Sequence, residues 1–201
     1  MKRVGVLGGS FDPVHYGHLC LAQDARDLAG LDEVILMPAK LQPFKLDKRL
    51  TEPADRLTML KIAAMRLENI SVSSRELDSD RISYTATTLD ELRQELDDGD
   101  KLYFITGTDS FIALGTWYRA DEILAHNGIV VGIRPGYRED EVEQKSALYR
   151  TAFGTEVMII ENRRLDISST EIRERVRKGE STEGLLPQEV RDYIDEHGIY
   201  K

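Results

Sequence analysis

Cysteine is almost absent. One residue, Cys20, in a chain of 201 cannot close an intrachain disulfide, which fits a reducing compartment, and a cytoplasmic location is expected. Nowhere do about 18 apolar residues run together, so no helix is expected to span a membrane. The start, Met1-Lys2-Arg3 and then Val4 to Gly9, is short and runs into Asp12, which suits a first strand better than a secretion signal. Proline is scarce at 6 residues and the 15 glycines follow no triplet period, which excludes collagen-like and mucin-like chains. Positive charge is in deficit: 27 Lys and Arg against 36 Asp and Glu leave −9, a poor balance for tracking a nucleic-acid backbone. An anionic ligand would therefore need a local site. The remainder is ordinary, with 41% hydrophobic and 31% charged residues, enough for a folded core in a chain of one-domain size.

Short apolar runs recur near Val4–Leu7, Glu33–Met37, Ile70–Ser73, Leu102–Thr106, Ile129–Ile133 and Val157–Ile160. They start roughly 30 residues apart, the length of a βαβ unit. Helical patterns lie near 16–29, 54–67, 85–97, 110–124 and 139–150, with two more at about 169–178 and 187–197. Gly30 and Gly99 stand where helix C-caps are expected, and Pro187 suits a first helical turn. Leu57, Leu60, Ala64 and Leu67 share one helical face, as do Leu89, Leu92 and Leu96. The alternation predicts an α/β fold: a Rossmann-like, doubly wound parallel sheet with helices on both faces. Right-handed crossovers would gather the strand C-termini along one edge, with ligands at the switch point. The basic stretch Ala39–Pro53 reads as a long loop of the kind that closes over a substrate.

After the first strand comes Gly8-Gly9-Ser10-Phe11-Asp12-Pro13-Val14-His15-Tyr16-Gly17-His18. Paired glycines let a backbone approach a ligand closely, and the helix that follows presents free N–H groups to an anion. The spacing is neither the dinucleotide fingerprint nor a phosphate loop with G-K-[ST]. His15 and His18, at i and i+3, share a face. Three readings stand: polar residues at a helix start, a metal pair completed by Asp12 or Cys20, or imidazole donors to phosphate oxygens. The glycine turn favours the last. Near the C-terminus, Ile167-Ser168-Ser169-Thr170-Glu171-Ile172-Arg173 contains a capping box in Ser168 and Glu171, which leaves Arg173 as a fixed cation on a second helix start. Two more segments read first as caps: Asp109 after the apolar strand Tyr103–Thr106 and Gly107, and Ser83 or Thr85 before a helix.

The first loop resembles the G-G-x-F-D-P-x-H-x-G-H motif of bacterial nicotinate-nucleotide adenylyltransferases, members of the H-x-G-H nucleotidyltransferase superfamily. Ile167 to Arg173 is similar to that family's I-S-S-T-x-I-R motif, and the likeness runs over essentially the whole chain. The resemblance implies one nucleotidyltransferase domain over 1–201, with C-terminal helices of about 169–201 packed on it. It implies adenylyl transfer from ATP to nicotinate mononucleotide, giving deamido-NAD and pyrophosphate, with Mg²⁺ carried on ATP phosphates and no metal bound by protein ligands. His15, His18 and Arg173 become catalytic. Gly8, Gly9, Ser10, Phe11, Gly107, Asp109, Ile167, Ser168 and Ser169 fall on the ATP side. Lys45, Thr85, Trp117, Tyr118 and Arg134 fall on the nicotinate-nucleotide side, Trp117 as a stacking platform. Where the family often has Pro-Pro-His-Lys, this chain has Gln42-Pro43-Phe44-Lys45, matching at Pro43 and Lys45 only. Other readings are a related transferase acting on phosphopantetheine, a tRNA synthetase, and a nucleotide-binding regulator without turnover. The synthetase would need a tRNA-binding domain that a net acidic chain of 201 residues is not expected to provide, and the regulator could dispense with a histidine. Nucleic-acid and membrane partners are not expected; a homo-oligomer is left open.

Overall fold

Six strands carry the chain's apolar runs, and in the computed structural model all of them pair in parallel. The structure describes residues 1–40, 50–133, 139–163 and 165–201. The strands are β1 (Arg3–Gly9), β2 (Glu33–Pro38), β3 (Ile70–Val72), β4 (Lys101–Gly107), β5 (Gly128–Gly132) and β6 (Val157–Ile160). Their order across the sheet is β3-β2-β1-β4-β5-β6. Successive strands therefore step outward from β1 on one side and from β4 on the other. The switch point lies between β1 and β4, where Leu7 stands beside Ile105.

The helices are α1 (Tyr16–Leu28), α2 (Pro53–Ala64), α3 (Arg75–Asp78), α4 (Thr85–Arg93), α5 (Thr108–Ala113), α6 (Ala120–His126), α7 (Glu139–Phe153), α8 (Ser169–Lys178) and α9 (Gln188–Glu196). Side chains alternate across each strand, so the sheet has two cores. Leu7, Val34, Leu36, Tyr103, Ile105, Val130 and Ile160 meet α1, α2, α8 and α9 on one face. Val4, Val6, Leu102, Phe104, Ile129, Val131 and Val157 meet α4, α5, α6 and α7 on the other. The doubly wound α/β expectation holds. Ile172 and Val176 of α8 and Val190 and Ile194 of α9 lie in the same core as β1.

The differences from expectation have local causes. The helix expected over 110–124 is two helices, α5 and α6, with a 3-10 turn at Leu114–Thr116 between them. Gly115 donates its backbone N–H to the Tyr149 hydroxyl on α7 (3.0 Å), and Arg119 takes a left-handed φ of 53°. Gly, Thr, Trp and Tyr in succession hold a helix weakly, so tertiary bonds decide. The short α3 lacks the length for a visible period. On α2 the buried residues are Arg56, Met59, Leu60, Ala63 and Ala64, so the core face is rotated from the Leu57–Leu67 stripe. Pro187 is the N-cap of α9 rather than a residue of its first turn. Gly30 has the left-handed φ expected after α1 (63°), whereas α4 stops at Arg93, well before Gly99. Of the long loop 39–53, residues 41–49 lie outside the described residues.

Candidate active site

The site grows from the ends of β1 and β4. A Cβ built on Gly8 would find only Phe104, at 4.0 Å, and one built on Gly107 would find nothing within 4 Å. The two adjoining strand ends thus leave open space beside bare backbone. From β1 the chain turns through Phe11, at φ 47°, to His15, the N-cap of α1, whose side chain makes no cap bond. The His15 and His18 rings stack with centroids 3.7 Å apart and planes inclined by 27°. His15 is buried (4% exposed), and His18 is half-buried with its ring against the edge of Phe11 (4.9 Å). A Cβ at position 17 would press on the His15 ring at 3.0 Å, which explains the glycine in the motif. Phe11 is fully buried, with its ring packed against His18.

The start of α8 meets this loop. Ser168 caps the helix, accepting the Glu171 N–H (3.2 Å). The expected return bond of the capping box is replaced, because the Glu171 carboxylate pairs with Arg175 at 2.7 Å. Ser169 donates its hydroxyl to the Pro13 carbonyl (2.9 Å), which leaves its backbone N–H as the group to offer an anion. Arg173 donates to the Asp12 carbonyl (2.7 Å) and to Thr170 Oγ1 (3.2 Å). Ile167 is buried in the core, so only its backbone faces the loop. Asp109 is exposed in the first turn of α5, whose N-cap is Gly107, so the aspartate is not the cap expected there.

Across the sheet a second group assembles. Phe104, the neighbour of Gly8, packs edge-on against Trp117 (5.8 Å). Trp117 is half-buried against the core of that face, so part of the ring is committed to packing. Tyr118 is 55% exposed and its ring lies 4.5 Å from that of Tyr84, the N-cap of α4. Thr85 is the first residue of that helix, and neither Ser83 nor Thr85 caps it through a side chain. Ser83 instead accepts the Lys40 backbone N–H (3.1 Å), tying the end of β2 to this turn. Lys45 and Arg134 lie outside the described residues.

The helix starts differ in charge. The first turns of α2, α5, α6, α8 and α9 each carry an acid, at Asp55, Asp109, Asp121 and Glu122, Glu171 and Glu189. Those of α1 and α4 carry none and have no side-chain cap. At α1 the Tyr16 N–H already donates to the Leu185 carbonyl (2.9 Å) and the His18 N–H to His15 (2.9 Å), so the start of α4 is the more open of the two.

Two functional neighbours were not apparent from sequence. Arg56 on α2 is 1% exposed and donates to the carbonyls of Ser10 (2.7 Å), Ala39 (2.8 Å) and Thr51 (3.0 Å). Burial lowers its pKa, and the charge of Asp12 opposes that. Its signal was an arginine in register with Met59, Leu60 and Ala63 on an apolar face. Glu76 on α3 accepts from Thr88 of α4 (2.6 Å); burial raises its pKa while that bond and one from Ser83 lower it. The metal reading of the histidines finds no support. Asp12 spends its carboxylate on Tyr200 and on the Thr51 N–H, and burial pushes the Cys20 thiol up, away from the ligating thiolate. Among the described residues no three His, Cys, Asp or Glu side chains group as ligands.

The sequence pattern of the Cytidylyltransferase-like family matches residues 6–175. A Clostridium botulinum (strain Eklund 17B / Type B) protein named "Probable nicotinate-nucleotide adenylyltransferase" is 36% identical over 201 residues, covering 100% of this chain and 99% of its own. A protein of the same name from Desulfitobacterium hafniense (strain Y51) is 38% identical over 200 residues, covering 100% and 96%. The chain belongs to the nicotinate-nucleotide adenylyltransferases. The fold agrees with that family. The solved structure of a Plasmodium falciparum nicotinic acid mononucleotide adenylyltransferase complexed with NaAD superposes with a TM-score of 0.80 at 22% identity, over 100% of this chain and 98% of that one.

Proposed function

We infer that this crevice carries out the family's reaction, adenylyl transfer from ATP to nicotinate mononucleotide, giving deamido-NAD and pyrophosphate in NAD biosynthesis. The observation that carries the reading is the stacked His15–His18 pair on the acid-free start of α1, at the β1/β4 switch point. The mononucleotide's phosphate, ionised at neutral pH, attacks the α-phosphorus of ATP in line, and pyrophosphate leaves. No side-chain nucleophile is required, so the protein contributes alignment and charge stabilisation. His15 and His18 donate to phosphate oxygens as charge builds on them. The backbone of Gly8, Gly9 and Ser10 lines the approach. Ser168, Ser169 and Arg173 serve the outer phosphates, largely through the N-terminal N–H groups of α8 and the Arg173 donors not spent on Asp12. Gly107 and Asp109 take the ribose or adenine. The start of α4 at Thr85 takes the nicotinate carboxylate, with Trp117 and Tyr118 on the pyridine ring and Lys45 and Arg134 as further cations.

Nucleotidyltransferases use ATP with a divalent metal, and we take Mg²⁺ to arrive on the triphosphate as part of the substrate. The donor set agrees, since the described residues offer backbone N–H groups, imidazoles and a guanidinium around the phosphates rather than a carboxylate cage. We further propose that residues 1–201 act as one domain and that the enzyme works in the cytoplasm, which the lone Cys20 supports. Among the described residues no helix is long and apolar enough to cross a membrane. The test is pyrophosphate release from ATP with nicotinate mononucleotide, run beside phosphopantetheine. Turnover with the first alone is expected; turnover with phosphopantetheine alone would overturn the assignment.

A further inference from the structure

The last residues of the chain return to the loop that carries the histidines. α9 ends in a left-handed turn at Gly198 (φ 62°). The Gly198 N–H donates to Asp195 (3.3 Å) and the Ile199 N–H to Ile194 (3.0 Å), the paired bonds of a glycine-terminated helix. This turn sends Ile199 against the core beneath α1 and α2 and carries Tyr200 to Asp12. The Tyr200 hydroxyl donates to Asp12 Oδ1 at 2.6 Å, across 188 positions of sequence.

Asp12 is buried and lies at the centre of the loop's support. Its second carboxylate oxygen accepts the Thr51 N–H (3.3 Å) and its backbone carbonyl accepts Arg173 (2.7 Å). Two residues earlier in the chain, the Ser10 carbonyl is held by Arg56. A buried carboxylate needs donors, and a loop with several carbonyls pinned from outside has little freedom to shift. Burial, and then the Asp12 charge, push the Tyr200 hydroxyl far above the ordinary phenol range, so it stays a donor at any working pH.

We propose that Tyr200 is a positioning residue for the phosphate chemistry. By holding Asp12 it sets the loop from Ser10 to His15, and through that loop the placement of the His15–His18 pair. The proposal rests on the reading that these histidines meet the reacting phosphates. Contacts that tighten in the transition state are the ones most sensitive to sub-ångström placement, whereas ground-state binding tolerates more. The bond should therefore act on turnover more than on affinity.

The test compares two hydroxyl deletions on one helix and its tail. Tyr193→Phe removes a similar bond, from Tyr193 to Asp55 Oδ1 (2.9 Å), between α9 and α2 but away from the loop. Both variants should lower the melting temperature, Tyr200→Phe more than Tyr193→Phe, because Asp12 is buried and Asp55 half-buried. Tyr200→Phe alone should lower kcat about 10- to 100-fold, with KM for ATP within about threefold. Asp12→Ala, which removes both acceptor oxygens, should show the same split, and adding Tyr200→Phe to it should cost much less than in the wild type, because both act through one bond. If Tyr200→Phe does not fold, Asp12→Ala by itself decides through that split. Equal kcat for Tyr200→Phe and Tyr193→Phe, additive effects in the cycle, or wild-type kcat for Asp12→Ala would each overturn the proposal. A His18→Ala control separates this from the underlying reading: full activity there fails the histidine role, while lost activity there with intact Tyr200→Phe fails only the positioning role.

Discussion

At the scale of single residues, His18 and Arg56 have opposite characters. His18 is half-buried beside an open crevice, while Arg56 is sealed among three carbonyls. His18→Ala should lower kcat by about 10²–10³, the usual loss for one oriented donor to developing charge, with a much smaller change in KM for ATP. Steady-state kinetics on the folded variant checks this, and an unchanged kcat would return the pair to a packing role. Arg56→Leu should act on stability first. It leaves the carbonyl oxygens of Ser10, Ala39 and Thr51, that of Ala39 buried, without this donor, a loss of about 3 kcal/mol. A urea midpoint equal to that of the wild type would show that the guanidinium is dispensable.

At the scale of elements, the proposed function gives the nicotinate carboxylate to the start of α4. α4 begins without an acid or a side-chain cap, so its N–H groups and dipole remain for a carboxylate. Nicotinate offers one; nicotinamide offers an amide whose NH₂ would point a donor at donors. Charge-assisted bonds of about 1.5–3 kcal/mol correspond to a preference of roughly 10- to 150-fold in kcat/KM for nicotinate mononucleotide. Trp117→Ala should weaken both nucleotides by similar factors and keep their ratio, since a ring stacks on either. A Thr85→Asp change, which places an acid in the first turn, should compress the ratio. Measuring kcat/KM for both nucleotides in the three proteins decides, and equal efficiencies in the wild type would refute the carboxylate site at α4.

At the scale of the whole molecule, the C-terminal helices are part of the core that supports the site. Family similarity in the Cytidylyltransferase-like pattern stops at residue 175, yet Val190 and Ile194 beyond it are fully buried against the face that holds α1. Removing residues 188–201 exposes their partners and deletes the bonds of Tyr193 and Tyr200. Two buried aliphatic side chains contribute about 3–6 kcal/mol, a large share of a typical net stability of about 5–15 kcal/mol. The truncated chain should lose its cooperative thermal transition. A sharp transition at the wild-type temperature would make α9 a detachable appendage.

The sequence by itself determined the parallel sheet, because strands buried on both faces must read as short continuous apolar runs and crossover helices must separate them. It also determined the two motifs of the candidate site, since the glycine turn with its histidines and the Ser168–Arg173 start are each local in the chain. Tertiary structure alone decided the rest, for one physical reason: a hydrogen bond between distant residues leaves no periodic trace. The break between α5 and α6 follows from the Tyr149 hydroxyl on Gly115, the burial of Arg56 from carbonyls in two loops, and the engagement of Asp12 from a tyrosine at the far end of the chain. The last two exist only once the fold has packed α2 and α9 into one core beside β1.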